Sequence, residues 1–159
     1  MNLRQANHSL SVATHGQGLG EITPEIAERL ARPRPPTGLL TVFCRHTSAS
    51  LVIQENADPS VRRDLARAFT RLAPENAGYE HDTEGPDDMP AHIKAALTQT
   101  SLPIPVAHGQ MALGAWQGVY LFEHRRAPPM RQNVVHYIGV EGVEGAKEPV
   151  FLAEGSGRP

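Results

Sequence analysis

Apolar and polar positions follow different rhythms along the chain, and the rhythms predict its elements. Residues 3 to 13, LRQANHSLSVA, alternate weakly and predict an opening strand, after which THGQGLG supplies a glycine-rich turn. ITPEIAERLA predicts a helix with Thr23 as N-cap, Pro24 at its first position and Ile26 and Leu30 on one face; RPRPPTG ends it. LLTVFCRHTSASLVIQEN is apolar and β-branched, which favours extended chain. Counted from Leu40, the residues Leu40, Val42, Cys44 and His46 point to one face, so His46 continues an apolar row.

The second half repeats the contrast. NADPSVRRDLARAFTRLAPE has Val61, Leu65, Ala68, Phe69 and Leu72 at helical spacing, with Asp58 as cap, Pro59 in the first turn and Pro74 as terminator. A shorter helix is expected from about Pro90 to Leu97, capped by Asp87 or Asp88. SLPIPVA, QMALGAWQ, GVYLFEHR and NVVHYIGV then read as strands, with turns at His108-Gly109 and Gln117-Gly118. About seven strands and about three helices, with the helices in the first two thirds, predict an α+β fold rather than a doubly wound sheet. Residues 1–140 are expected to form one domain, and 141–159, rich in glycine, a loosely ordered tail.

Composition narrows the classes. A chain of 159 residues is large enough to bury a core without disulfides, and its single cysteine, Cys44, has no intrachain partner. The N-terminus lacks a signal-peptide pattern, so the reading is cytoplasmic. No apolar run approaches the roughly 20 residues of a membrane helix. A net charge of −2 gives no basic surface for nucleic acid. Net charge does not reveal partners; neither nucleic acid nor membrane is expected, and the small-molecule substrate that is expected comes from the candidate chemistry and the resemblance below.

The candidate chemistry centres on HDTEGPDDMPAH, residues 81 to 92. His92 falls in the first turn of its helix, where the helix dipole disfavours an imidazolium and leaves the neutral, metal-binding form. His46, His81 and His92, with Glu55, Asp58, Asp82 and Glu123, make a possible histidine and carboxylate site for zinc, manganese or iron; an oxygen-rich subset suits magnesium. Taken singly, His46 also reads as a core histidine, and Asp87 and Asp88 read first as helix caps. HTSAS offers the hydroxyls of Thr47, Ser48 and Ser50 to an anion, and Lys94, Arg125 or Arg131 offers positive charge; the same segment also reads as a plain bend. Trp116 reads as core or as a stacking wall, beside Gln117.

HTSASLVIQENADPSVRRDL, YEHDTEGPDDMPAHIKAAL, TSLPIPV and GAWQGVYLFEHR, in that order, resemble the YjbQ family over about residues 3 to 140. The resemblance implies sheets with helices packed on one side, a homotrimer, bound metal, and the family label of secondary thiamine-phosphate synthase, which joins a pyrimidine pyrophosphate to a thiazole phosphate. His46, Glu55, Asn56, His81, His92, Trp116, Gln117 and Glu123 stand at matching motif positions. The family usually has threonine where Ala115 stands and a basic residue where Gln132 stands.

The expected roles follow. His46, Glu55 and Glu123 are the catalytic candidates; Thr47, Ser48, Asn56, Lys94, Trp116 and Gln117 contact a phosphorylated or heteroaromatic substrate; His46, His81 and His92 hold a divalent metal, zinc or magnesium. In the synthase, Glu84, Asp87 and Asp88 are further magnesium candidates. A metal-dependent hydrolase with histidine-bound zinc and a non-catalytic binding trimer are the alternatives.

Overall fold

The computed structural model describes residues 2–31 and 37–140; the expected tail at 141–159 and the RPRPP part of the helix break lie outside them. The element order is β1 (Leu3–Val12), β2 (Gly18–Glu21), α1 (Thr23–Ala31), β3 (Thr37–Cys44), β4 (Ala49–Glu55), α2 (Pro59–Leu72), α3 (Asp88–Leu97), β5 (Ser101–Ala107), β6 (Gln110–Met111), β7 (Gln117–Glu123) and β8 (Arg131–Val140). The fold is α+β. Its strands form two antiparallel sheets, one ordered β1-β8-β3-β5-β6 and the other β2-β7-β4.

Alternation along the strands explains the layers. Leu40, Val42 and Cys44 of β3, Leu102, Ile104 and Val106 of β5, and Val135 and Tyr137 of β8 turn inward, as the two-residue period requires. They meet Ala49 and Leu51 of β4 and Val119 and Leu121 of β7, while Ile26 and Leu30 of α1 enter the same core. The opposite face of the three-stranded sheet carries Tyr120 and Phe122. Phe122 packs edge-on against Phe69 of α2, with ring centroids 5.2 Å apart, and Arg62 lies over the Tyr120 ring. The smaller sheet is thus held between the larger sheet and α2, with α3 alongside β4. Pro103 and Pro105 are tolerated because β5 is an edge strand over most of its length.

Several local expectations are corrected. The end of THGQGLG, read as turn, belongs with Glu21 to the strand β2, paired with β7 from Gly18↔Glu123 to Glu21↔Tyr120. Thr23 does not cap α1 through its side chain. Ile22 O accepts the first helical N–H, from Ile26, while Thr23 Oγ1 accepts from Val119 N at 2.9 Å and ties α1 to β7. Most of QMALGAWQ is loop, and the turn expected at Gln117-Gly118 sits two residues earlier, at Ala115-Trp116, closed by Gln117 N–H donating to Gly114 O. Gly118 belongs to the strand, paired with Gln54, and is glycine where a Cβ would lie 2.8 Å from Glu21 Oε1.

Asp58 caps α2 as expected, accepting from Ser60 N at 2.8 Å, with Pro59 in the first turn. The α2 apolar stripe is less covered than its periodicity implies: no helix residue is buried, and Leu72 is 64% exposed. Among the described residues, no helix is long and apolar enough to cross a membrane.

Candidate metal centre

The helix α3 begins at Asp88 rather than near Pro90, and that earlier start builds the site. Pro90 falls in the first turn, where a helix has no partner for its N–H groups anyway. Asp88 and His92 are therefore four residues apart on one helical face, and the preceding loop brings His81 beside them. One nitrogen from each histidine and one Asp88 oxygen lie within 4.8 Å of one another. Both Nε2 atoms face Asp88 Oδ2, at 2.6 Å from His81 and 3.5 Å from His92.

His81 Nε2–H donates to Asp88 Oδ2, and the other two donors are oriented by neighbours. His92 Nδ1–H donates to Thr47 O at 3.0 Å, which fixes the proton on Nδ1 and leaves the Nε2 lone pair toward Asp88. Asp88 Oδ1 is held by Arg125 Nη1, and the Arg125 Nη2 group donates to Glu84 O at 2.9 Å. Asp87 turns the other way, accepting from Arg126 N at 2.9 Å and Arg125 Nε at 3.2 Å. Burial alone would raise the Asp87 carboxyl, but the Arg126 N–H and the Arg125 guanidinium outweigh it and hold the pKa below its usual value. The Asp88 side chain is sealed at 2% exposure, while those of His81 and His92 are 46% and 34% exposed. Two histidines and one carboxylate, with the imidazoles open to solvent, leave room for further ligands. The oriented His92 tautomer and this donor set fit a divalent transition metal.

The other sequence candidates fall elsewhere. His46 is not in the cluster: its Nε2 accepts from Gln132 N at 2.8 Å, which places its proton on Nδ1. Burial, reinforced by the Arg131 charge, lowers its pKa, so it is a neutral group tying the β3 end to β8. Glu123 is 1% exposed and paired with Arg131, whose Nε donates to Glu123 Oε2 at 2.7 Å; Thr14 Oγ1 donates to the same oxygen at 2.8 Å. Burial would raise its carboxyl, yet these bonds and the Arg125 N–H hold it below the ordinary glutamate value. Arg131 also donates to Ser48 Oγ and Ser48 O, both at 3.2 Å, which fixes the HTSAS bend from behind.

Glu55 accepts from Asp58 N at 3.1 Å, at the start of α2. Asn56 N donates to Trp116 O, and Gln117 Oε1 accepts from Gly114 N. Glu55, Asn56, Trp116 and Gln117 therefore share one end of the small sheet, where Glu55 pairs with Gln117. Ala49 pairs with Glu123 at the other end, six residue steps or about 20 Å away. Within one chain the expected constellation is two separate groups, and only the Thr47 and Ser48 end adjoins the metal cluster.

Lys94 is 6% exposed and lines a cleft with His124 rather than facing HTSAS; burial lowers its pKa. Glu84 contributes a backbone oxygen to Arg125, not a carboxylate. Cys44 is buried, and burial raises its thiol pKa. Sequence reasoning had Asp88 first as a helix cap and otherwise as a magnesium candidate, and missed both its pairing with the two histidines and Arg125 as the group that orients it. The signal was present in the four-residue spacing of Asp88 and His92.

The YjbQ-like family model, described as UPF0047 protein YjbQ-like, matches residues 8–140. A Synechocystis protein described as UPF0047 protein sll1880 is 52% identical over 137 residues, covering 86% of this chain and 93% of that protein. The UPF0047 protein YjbQ of Escherichia coli O157:H7 is 48% identical over 118 residues, 74% of this chain and 86% of its own. A crystal structure of a conserved hypothetical protein from Thermus thermophilus superposes with a TM-score of 0.72 at 34% identity, covering 80% of this chain and 97% of that one. From its motifs to its two-sheet fold, the chain belongs to the YjbQ-like UPF0047 family.

Proposed function

We propose that the chain is a metal-dependent enzyme acting on a small phosphorylated, heteroaromatic substrate, with His81, Asp88 and His92 as the metal ligands. The observation that carries this reading is the His92 Nδ1–H bond to Thr47 O, which presents Nε2 toward the carboxylate that His81 also faces. A group held from behind in this way is how a protein orients a ligating imidazole. Two imidazoles in the set favour zinc or another transition ion over magnesium.

Thiamine-phosphate synthesis is the concrete form of the proposal. The thiazole ring nitrogen attacks the pyrimidine methylene carbon, a C–N bond forms, the C–O bond to pyrophosphate breaks, and pyrophosphate leaves. Bound metal supplies neutralising charge to that leaving group. The attacking nitrogen carries no proton, so no general base is needed. That matches the engagement of both expected bases, Glu55 at the α2 terminus and Glu123 with Arg131. Metal-assisted hydrolysis, which needs a base for water, fits these engaged carboxylates less well.

Self-association belongs to the same proposal. Leu39, Phe43 and Ile138 are 41%, 43% and 37% exposed on β3 and β8 of the larger sheet, an apolar face suited to the homotrimer. A second copy would also be the means of bringing the Trp116 group near a neighbour's metal cluster. Purified protein should carry about one zinc-like ion per chain and form thiamine phosphate from the two substrates. Asp88→Asn should lose both properties. Metal-loaded wild type that forms no more product than Asp88→Asn would refute the synthase, and metal-free wild type that stays so with zinc supplied would refute the centre.

A further inference from the structure

Beyond the metal cluster, the strand β7 and the helices α2 and α3 enclose a cleft of about 190 Å³ whose polar lining is Lys94, His124, Gln17, Thr70, Arg67 and Glu123. None of His81, Asp88 and His92 lines it. Lys94 and His124 are 6% and 1% exposed, so both are more than nine-tenths buried. Among the described residues, the Lys94 ammonium makes no hydrogen bond or ion pair, and His124 Nδ1 is buried without a partner. An unmatched polar group is costly inside a protein, and His124 Nδ1 beside an ammonium that opens onto the same cleft calls for an explanation.

Neighbouring acids do not supply it. Glu75 pairs with Arg126, Asp87 with Arg125 and the Arg126 N–H, and Glu123 with Arg131. The ammonium is therefore the charge without a direct counter-ion. The Thr98 hydroxyl has one proton and lies within reach of both Ser50 Oγ and Lys94 O, at 2.5 and 2.8 Å, so the Ser50 Oγ–His124 Nε2 contact at 2.8 Å accommodates either ring tautomer. With the ring proton on Nδ1, both unpartnered nitrogens are donors. Arg67 stands at the rim, its side chain 70% exposed and paired with Asp64.

We infer that this cleft binds a tetrahedral oxyanion, either free phosphate or the phosphate group of a small molecule, with Lys94 as principal donor, His124 as second donor and Arg67 at the mouth. A metal would meet the Lys94 ammonium, whereas phosphate oxygens accept from that ammonium and from Nδ1–H. The site stands apart from the metal reading and is tested on metal-free protein, so the two succeed or fail separately.

Chelator-treated protein is titrated with sodium phosphate at pH 7.5, against sodium chloride of equal ionic strength. The melting temperature should rise saturably with phosphate. Lys94→Met, which keeps an unbranched chain and removes the charge, should weaken phosphate binding about tenfold or more. A readout on the wild type keeps the test open should that variant not fold: the ring nitrogen signals of His124 should shift saturably with phosphate in NMR spectra. Glycerol phosphate run in parallel separates the sources. Tighter binding of the ester assigns the site to a phosphorylated small molecule, and tighter binding of inorganic phosphate assigns it to the free ion. A response no larger than with chloride, an equal response in folded Lys94→Met, or His124 signals unmoved by phosphate would overturn the inference.

Discussion

Acidification from pH 7.5 to pH 5 should destabilise the protein through His124. The ring is 1% exposed, with Nε2 2.8 Å from Ser50 Oγ. Burial first, and the nearby Lys94 ammonium second, lower its pKa to about 3; Glu123 opposes and Arg131 adds to the shift. The folded protein therefore keeps His124 neutral at pH 5, while the unfolded chain, with the ordinary value of 6.5, binds a proton. Below pH 6.5 the unfolded state binds more protons, so stability falls as pH falls and the loss is complete only near the folded value. At about 1.4 kcal/mol per pH unit, the 1.5 units between 6.5 and 5 amount to about 2 kcal/mol. His46, whose pKa is also lowered, adds in the same direction. Glu123 and Asp87 have depressed values, so their stabilisation is lost only as pH falls below the unfolded values of 4.5 and 3.8, outside this window. The assay is urea unfolding at both pH values and fixed protein concentration, for wild type and His124→Leu. All other titrations cancel in the difference, and the wild type should lose about 2 kcal/mol more than the variant. Equal losses would refute a buried neutral His124.

Three further outcomes follow from named contacts. Arg125→Gln removes the guanidinium that orients Asp88 and should weaken zinc affinity about ten- to a hundredfold, measured by competition with a chelator; unchanged affinity would show that Asp88 is held without it. Arg131→Met leaves Glu123 buried without its counter-charge and should cost about 3–5 kcal/mol in urea unfolding, with Arg131→Met plus Glu123→Leu recovering much of the loss. Trp116 is 66% exposed, so Trp116→Ala should change the stability of the isolated chain by less than about 0.5 kcal/mol. A larger loss that grows with protein concentration would place the indole in a subunit interface.

Elements whose signals are local were legible in the sequence. Asp58 and Pro59 mark the start of α2 within two residues, and alternation in SLPIPVA places Leu102, Ile104 and Val106 inward without knowledge of the rest. The strand β2 was not legible, because GLGE carries no β propensity and becomes a strand through pairing with β7. Two starting residues decided the reading of α3. Placing its start near Pro90 left Asp88 as a cap, whereas starting at Asp88 puts it one turn below His92 and makes it the shared partner of two histidines. Residue type grouped His46 with Glu55 and Glu123, and the family resemblance added Trp116. Their separation is set by strand register, a non-local property: Glu55 and Glu123 lie at opposite ends of the β4–β7 ladder.

The run Glu123, His124, Arg125 shows how one strand end serves three environments. Successive residues of an extended chain point to opposite faces, so Glu123 turns into the core to meet Arg131 while His124 turns out beneath Lys94 and Ser50. The strand ends at Glu123, so Arg125 lies beyond it and crosses to Asp88 and to Glu84 O. The buried pair fixes the strand end, because Glu123 Oε1 also accepts the N–H groups of His124 and Arg125 at 3.0 Å. Loss of Arg131 would therefore release more than one ion pair. It would free the carboxylate that holds the backbone from which Arg125 reaches Asp88, making the metal centre sensitive to a residue that touches none of its ligands.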